Sequence, residues 1–210
     1  MALAPYAGTG RNRRLPVGLR WALVCVSALM LSLIAAGCSA SPPPTTNLNG
    51  AWTVRTVDHG QISLSVPANW KIGQAWTMPS SFTDLVGSFS NQELLTPCST
   101  SANSVECGPP MTSFQPGGVL VEVFQNGFPG WTINTQPGTA TTVSGLAARV
   151  AFQTGGQSSC RPLGADRSTD EVIALPNAPD NYFEVTICSR RVAGAVTARI
   201  IASVEATPSS

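Results

Sequence analysis

Residues 62–70, which read ISLSVPANW, carry the clearest fold signal in the chain. The apolar positions 62, 64 and 66 alternate with two serines, a pattern typical of a half-buried β-strand. The following Pro-Ala-Asn ends that strand in a turn. Residues 52–57 precede it and are joined to it through Asp58-His59-Gly60. The sequence therefore predicts two neighbouring strands at the start of the domain.

Downstream of this pair, short runs rich in β-branched and aromatic residues predict five further strands. They span residues 85–90, 119–125, 142–153, 171–175 and 182–188. The last two are separated by a dense turn signal at residues 176–181, which predicts an antiparallel hairpin.

The end of the chain changes its period. Val192, Val196, Ile200 and Val204 step by four, which predicts an amphipathic helix over residues 191–205. Such a helix can cover one face of a sheet. The expected fold class is therefore α+β, an antiparallel sheet covered by a C-terminal amphipathic helix and held by two disulfides.

The first 37 residues have the order of parts expected of an export signal. Four arginines (Arg11, Arg13, Arg14 and Arg20) precede an uncharged apolar run that ends in small residues before Cys38. That run is short for a membrane span, which needs about 20 apolar residues. Residues 33–38, LIAAGC, resemble the lipobox of bacterial lipoproteins.

This resemblance implies that Cys38 carries a diacylglyceryl anchor and becomes the first mature residue after cleavage. The partner it implies is a membrane, and the location is the extracytoplasmic side of the cell membrane. We therefore expect a lipoprotein signal peptide at residues 1–37, a Pro/Ser/Thr-rich spacer at 38–49 and a single α+β domain at 50–207.

Cysteine use agrees with export, because four cysteines remain in the domain, an even number. Three pairings are possible. We favour Cys98 with Cys107 and Cys160 with Cys188, since each joins sequence neighbours. A zinc site is disfavoured because these spacings are not short C-x₂₋₄-C pairs and His59 is the single histidine. No metal or other cofactor is expected.

A second resemblance concerns the opening strand and a later one. Residues 62–70 look like the strand, proline, turn and tryptophan opening of PsbP-like secreted domains, and residues 142–149 are similar to a later strand of that group. The resemblance implies an antiparallel sheet with packed helices and accessory roles, and it transfers no catalytic residue.

The residues offer little support for catalysis or for nucleic-acid binding. The mature part holds eight basic and eleven acidic side chains, a poor composition for a nucleic-acid partner. His59 is the one candidate base, and its place in a turn indicates a solvated side chain. Asp166, Asp170, Glu171, Asp180 and Glu184 lie in the last third, where their positions indicate solvated carboxylates although two of them can face each other across a cleft.

Aromatic residues are the better indication of binding. Phe128 and Trp131 flank Pro129-Gly130 after a predicted strand, and a loop of this kind is hard to bury completely. We predict that these two residues contribute to ligand binding, while the remaining large aromatics fill the core.

These observations predict a lipid-anchored envelope lipoprotein that is a non-enzymatic accessory or binding module, with an envelope protein, lipid or glycan as partner. The alternative is a carrier of a lipid or glycan in an apolar pocket between sheet and helix. A carboxylate-dependent hydrolase is the third interpretation.

Overall fold

In the computed structural model, the described residues are 50–77, 82–96, 98–100, 105–154, 160–175, 178 and 180–207, and they belong to one compact unit, residues 42–210. Cys38, the expected signal peptide and the spacer lie outside the described residues. The described strands, in chain order, are β1 Trp52–Val57, β2 Ile62–Pro67, β3 Lys71–Gly73, β4 Thr83–Ser90, β5 Cys98–Thr100, β6 Val105–Cys107, β7 Val119–Gly127, β8 Thr139–Val143, β9 Leu146–Thr154, β10 Arg167–Ala174, β11 Asn181–Ser189 and β12 Glu205–Ala206.

Seven of these strands form the central sheet in the order β3-β4-β7-β11-β10-β9-β8, and every neighbouring pair is antiparallel. A smaller sheet has the order β1-β2-β12, and β5 pairs with β6. The expected β1–β2 pair and β10–β11 hairpin are confirmed. In the described part of the chain, antiparallel sheets combined with one α-helix confirm an α+β-like fold.

The strand expected at residues 142–153 is two strands. The hairpin turn between β8 and β9 consists of Ser144 and Gly145, whose φ angles are 50° and 82°. Both residues of a type I′ turn need positive φ, and this turn matches the right-handed twist of the paired strands. The Ser-Gly pair was the signal for this turn, and the apolar residues on either side masked it.

The terminal helix is shorter than expected. Helix α1 spans Gly194–Ile201, and the chain then turns so that β12 pairs with β2. The Ser203 hydroxyl donates to the Ile200 carbonyl at 2.7 Å and accepts the Ser65 amide at 2.8 Å, which ends the helix against β2. The prediction of helix up to residue 205 was therefore wrong. Pairing with β12 gives backbone groups at the edge of β2 partners that a longer helix would not have supplied.

The main core lies between one face of the central sheet and the smaller sheet. Its members include Val121 and Val185 of the central sheet, Leu64 of β2 and Val196 and Ile200 of α1, all buried. The Arg199 guanidinium lies 3.9 Å from the centre of the Trp52 ring, so the helix also contacts β1. Because strand side chains alternate between faces, the next residues along the same strands point to the opposite face.

The structure pairs the four cysteines as the sequence analysis favours. Cys98 bonds to Cys107 across β5 and β6, and Cys160 bonds to Cys188 of β11. The second bond belongs to a smaller core on the opposite face of the central sheet, together with Met111, Phe114, Leu120 and Leu163.

Candidate functional site

The opposite face of the central sheet carries a polar row that crosses four strands. Asp170 of β10 pairs with Thr186 of β11, Thr186 with Glu122 of β7, and Glu122 with Ser88 of β4. Glu184, two residues before Thr186, points to the same face. Residues that follow one another across a sheet at this register have neighbouring side chains. The fold thus brings together three carboxylates that are far apart in sequence.

Asp170 and Glu184 line a cleft of about 300 Å³ together with neighbouring residues of β9, β10 and β11. Its floor includes Gln153, Asp170, Tyr182 and Glu184, and one wall is formed by Gln136 and Pro137 from the segment before β8. The smaller core covers the sheet toward the Cys188 end of β11. We call this space the acidic cleft.

Neutral donors hold both cleft carboxylates in place. The Asp170 carboxylate accepts hydrogen bonds from the Thr186 hydroxyl at 3.0 Å and from the Gln153 amide at 3.3 Å. The Glu184 carboxylate accepts one from the Asn126 amide at 3.2 Å. The carboxylates are therefore oriented before any ligand arrives, which lowers the entropy cost of binding.

Burial raises the pKa values of the carboxylates in the polar row. Burial raises the pKa of Glu122 to about 7, and the neighbouring charge of Glu184 raises it as well. Burial raises the pKa of Glu184, and so does the charge of Asp170. Hydrogen bonds with Asn126 and Thr186 lower this pKa, but the net shift is upward. Burial likewise raises the pKa of Asp170, and burial with the charge of Glu184 raises the pKa of the Tyr182 hydroxyl to about 12. The expectation of solvated carboxylates was therefore wrong for Asp170 and Glu184, because strand pairing places them on a covered face.

No cationic side chain neutralises these carboxylates within the described part of the chain. The one salt bridge among those residues joins Lys71 to Glu93 at 3.1 Å on the surface. Arg149 lies on the same face as Glu184, but its guanidinium donates to the Gly138 carbonyl. The described residues also include no group of three or more His, Cys, Asp or Glu side chains suited to a metal ion.

The two aromatic residues predicted to bind a ligand lie next to the acidic cleft. The Trp131 ring stacks on the Tyr182 ring with 4.2 Å between centroids and 10° between planes. Phe128 is 41 % exposed and lies 6.4 Å from Tyr182 and 5.6 Å from Phe82, which is itself 58 % exposed. We call Phe82, Phe128, Trp131 and Tyr182 the aromatic patch.

Asp180 positions this patch. Its carbonyl accepts the Phe128 amide at 3.0 Å and its carboxylate accepts the Gly130 amide at 3.0 Å. Gly130 has a φ of 77°, a left-handed conformation that favours glycine, and the Trp131 amide closes the turn on the Phe128 carbonyl. The Pro-Gly loop therefore projects Phe128 outward while it folds Trp131 onto the sheet.

The other candidate residues lie elsewhere. His59 is exposed in the β1–β2 turn, with Asp58 and His59 both at positive φ. The Asp166 carboxylate accepts the Arg191 amide at 2.9 Å. Glu171 is buried at 2 % exposure on the core face, where one of its oxygens has no hydrogen-bond partner, and burial raises its pKa to about 7.

Sequence reasoning missed Glu122, Asn126, Gln153 and Tyr182 as members of the site. The expectation that Phe82 fills the core was wrong, because its side chain is 58 % exposed. Glu122 lies in the strand predicted at residues 119–125 and Asn126 lies just beyond it, and the role of both depends on pairing with β11, which is distant in sequence. The alternation of Glu122 with Val121 and Val123 was the one available signal, because a charge inside an apolar strand marks its other face.

A second, more open cavity of about 560 Å³ lies at the edge of the sheet. It is lined by residues 137–139 and 150–154. Neither cavity is lined by a residue of α1. Among the described residues, no helix has the length and apolar character needed to cross a membrane.

Comparisons with known proteins add no functional assignment. No family model and no curated protein sequence matches the chain. A solved structure from Bacteroides thetaiotaomicron VPI-5482 is similar over 75 % of this chain and 48 % of that chain, with 11 % identity and a TM-score of 0.34. A similarity this low supports no conclusion about fold or function.

Proposed function

We propose that the protein is a lipid-anchored, extracytoplasmic binding module of the bacterial cell envelope whose ligand enters the acidic cleft. The tether at Cys38 comes from the lipobox resemblance of residues 33–38. The likeness to PsbP-like domains remains a prediction and agrees with an accessory role.

The observation that carries the binding role is the mixed lining of the acidic cleft. An aromatic ring, two amides and two carboxylates converge on one space at Tyr182, Gln136, Gln153, Asp170 and Glu184. Ligand sites typically combine an apolar wall with a few oriented polar groups in this way. Burying the carboxylates of Asp170 and Glu184 without a counter-charge costs free energy of folding. Their position in the cleft is therefore better explained by ligand binding than by stability.

In this proposal the terminal helix covers the face of the central sheet that lies away from the acidic cleft. Val196 and Ile200 pack in the main core with β2 and the central sheet. A carrier that holds an apolar ligand between sheet and helix is less well supported, because the side chains at that contact are fully buried and the two cavities described above lie elsewhere.

Anchoring and binding are tested separately. Metabolic labelling with a fatty acid should mark the wild-type protein and not Cys38→Ala, because only the thiol at residue 38 can form the thioether. Label retained on the alanine variant would contradict the anchor. A variant in which Asp170 becomes Asn and Glu184 becomes Gln should bind the ligand of the cleft several-fold more weakly while remaining labelled.

The neighbouring carboxylates Asp170 and Glu184 favour one second candidate, a carboxylate-dependent hydrolase. Glycoside hydrolysis uses two carboxyl groups, one of them with a raised pKa. Prolonged incubation of the wild-type protein with oligosaccharides, followed by chromatography of the products, decides this. Recovery of intact oligosaccharide would support the binding module. Cleavage by the wild type that Asp170→Asn abolishes would establish the hydrolase.

A further inference from the structure

Building on the proposed function, we infer that the acidic cleft and the aromatic patch together bind a neutral oligosaccharide and reject acidic sugars. The ligand class follows from two neighbouring surfaces: stacked and exposed aromatic rings, and planar polar side chains fixed by hydrogen bonds.

The aromatic patch supplies the apolar half of this site. Tyr182 lines the cleft with Trp131 stacked on it, and the patch continues outward through Phe128 to Phe82. Two neighbouring phenylalanines at 41 % and 58 % exposure are unusual on a protein surface. The C–H face of a pyranose stacks on such rings, and the extension beyond Tyr182 accommodates a second sugar unit outside the cleft.

The acidic cleft supplies the polar half. Sugar hydroxyls both donate and accept hydrogen bonds, and the cleft offers carboxylate acceptors together with the Gln136 and Gln153 amides. Asp170 and Glu184 already accept bonds from neutral donors, which fix their orientation, and both carboxylates line the cleft that ligand hydroxyls would enter. This mixed set matches a polyol better than a fatty acyl chain.

Charge decides which sugars fit. Glu122 lies in the same polar row on β7, is 8 % exposed and is influenced electrostatically by Glu184. Glu122, Asp170 and Glu184 thus place three carboxylates on this face of β7, β10 and β11, and no salt bridge among the described residues neutralises them. A uronic acid would add a further negative charge at low dielectric, which like-charge repulsion disfavours.

Calorimetric titration of the mature protein in detergent micelles tests the inference. The probes are neutral hexopyranose oligosaccharides of two to six units, matched oligosaccharides that contain a uronic acid, and spermidine as a cation. We expect saturable binding of a neutral probe, at least tenfold tighter than its uronic-acid counterpart. Phe128→Ala should weaken that binding at least fivefold, whereas Phe152→Ala should not change it, because Phe152 is 70 % exposed on the other face of β9.

The variant Asp170→Asn with Glu184→Gln adds a second readout. It keeps the shape of both side chains and removes both charges, so the preference for neutral over acidic sugars should fall toward equality. Equal affinity of the wild type for both sugars would overturn the inference, as would no binding of any neutral probe. If the wild type binds spermidine and this variant does not, the protein is still a binding module, but its ligand is a cation and the inference of a neutral sugar is overturned.

Discussion

Glu171 shows how a single residue can depart from what its position in the sequence indicates. It lies beside Asp170 in a polar-looking run, yet it faces the core with an unpaired oxygen at 2 % exposure. Alternation along β10 sends these two neighbours to opposite faces. The sequence could identify the carboxylates of the last third but not their environments, because burial of each depends on strands that are distant in sequence.

The raised pKa of Glu171 predicts a pH-dependent stability. The pKa is about 7 in the folded protein against an ordinary value of 4.5, so the folded state binds this proton more strongly. The stabilisation is complete below pH 4.5 and is lost as the pH rises through 7. Glu171→Gln should therefore raise the free energy of unfolding at pH 8 by about 1–3 kcal/mol and should gain much less at pH 4.

Urea unfolding at the two pH values checks this prediction. Glu205→Gln is the control, because Glu205 is exposed at the edge of the smaller sheet. An equal effect of Glu171→Gln at pH 4 and pH 8 would show that the folded protein does not hold a proton on this carboxylate.

At the scale of elements, strands with clear alternation were predictable and short strands were not. β2 repeats its apolar residues every two positions, and its buried residues are those of the pattern. Strands β3, β5, β6 and β12 have two or three residues each, too few for a period to appear. The four-residue stripe at the end of the chain identified the buried valines and Ile200, although Val192 and Val204 lie outside the helix that they flank.

The two disulfides should differ in their effect on stability. The Cys160–Cys188 bond spans 28 residues and belongs to the smaller core, whereas Cys98–Cys107 spans 9 residues and closes one hairpin. Loop-closure entropy alone makes the longer bond about 1 kcal/mol more stabilising. Cys160→Ser should therefore lower the thermal midpoint more than Cys98→Ser, measured by circular dichroism under non-reducing conditions. A larger loss for Cys98→Ser would contradict the assignment of the second core.

Helix α1 offers a matched pair of substitutions. Ile200 is fully buried in the main core, and Ala198 is exposed on the same helix. Ile200→Asp would bury an unpaired charge and should prevent accumulation of folded protein, because such changes cost several kcal/mol. Ala198→Asp should change the thermal midpoint by only a few degrees. Equal yields of soluble folded protein from both variants would show that α1 does not cover the sheet.

At the scale of the whole molecule, the site exists only because the chain folds. Glu122, Asp170 and Glu184 come from three strands of the central sheet, and the loop of Phe128 and Trp131 reaches Tyr182 over some 50 residues of sequence. The aromatic pair was predictable because its Pro-Gly turn has a local signature. The carboxylate row was not, because strand order and register are properties of the sheet. The proposed tether, by contrast, rests on a local motif at residues 33–38.

One measurement joins the tether to the cleft: co-sedimentation of a fluorescent neutral oligosaccharide with membranes from cells that produce the protein. Wild-type membranes should retain the oligosaccharide, and membranes with equal amounts of the variant Asp170→Asn with Glu184→Gln should retain several-fold less. With Cys38→Ala, the oligosaccharide should stay in the supernatant. Equal retention by wild-type and cleft-variant membranes would contradict a membrane-tethered binding module that uses the acidic cleft.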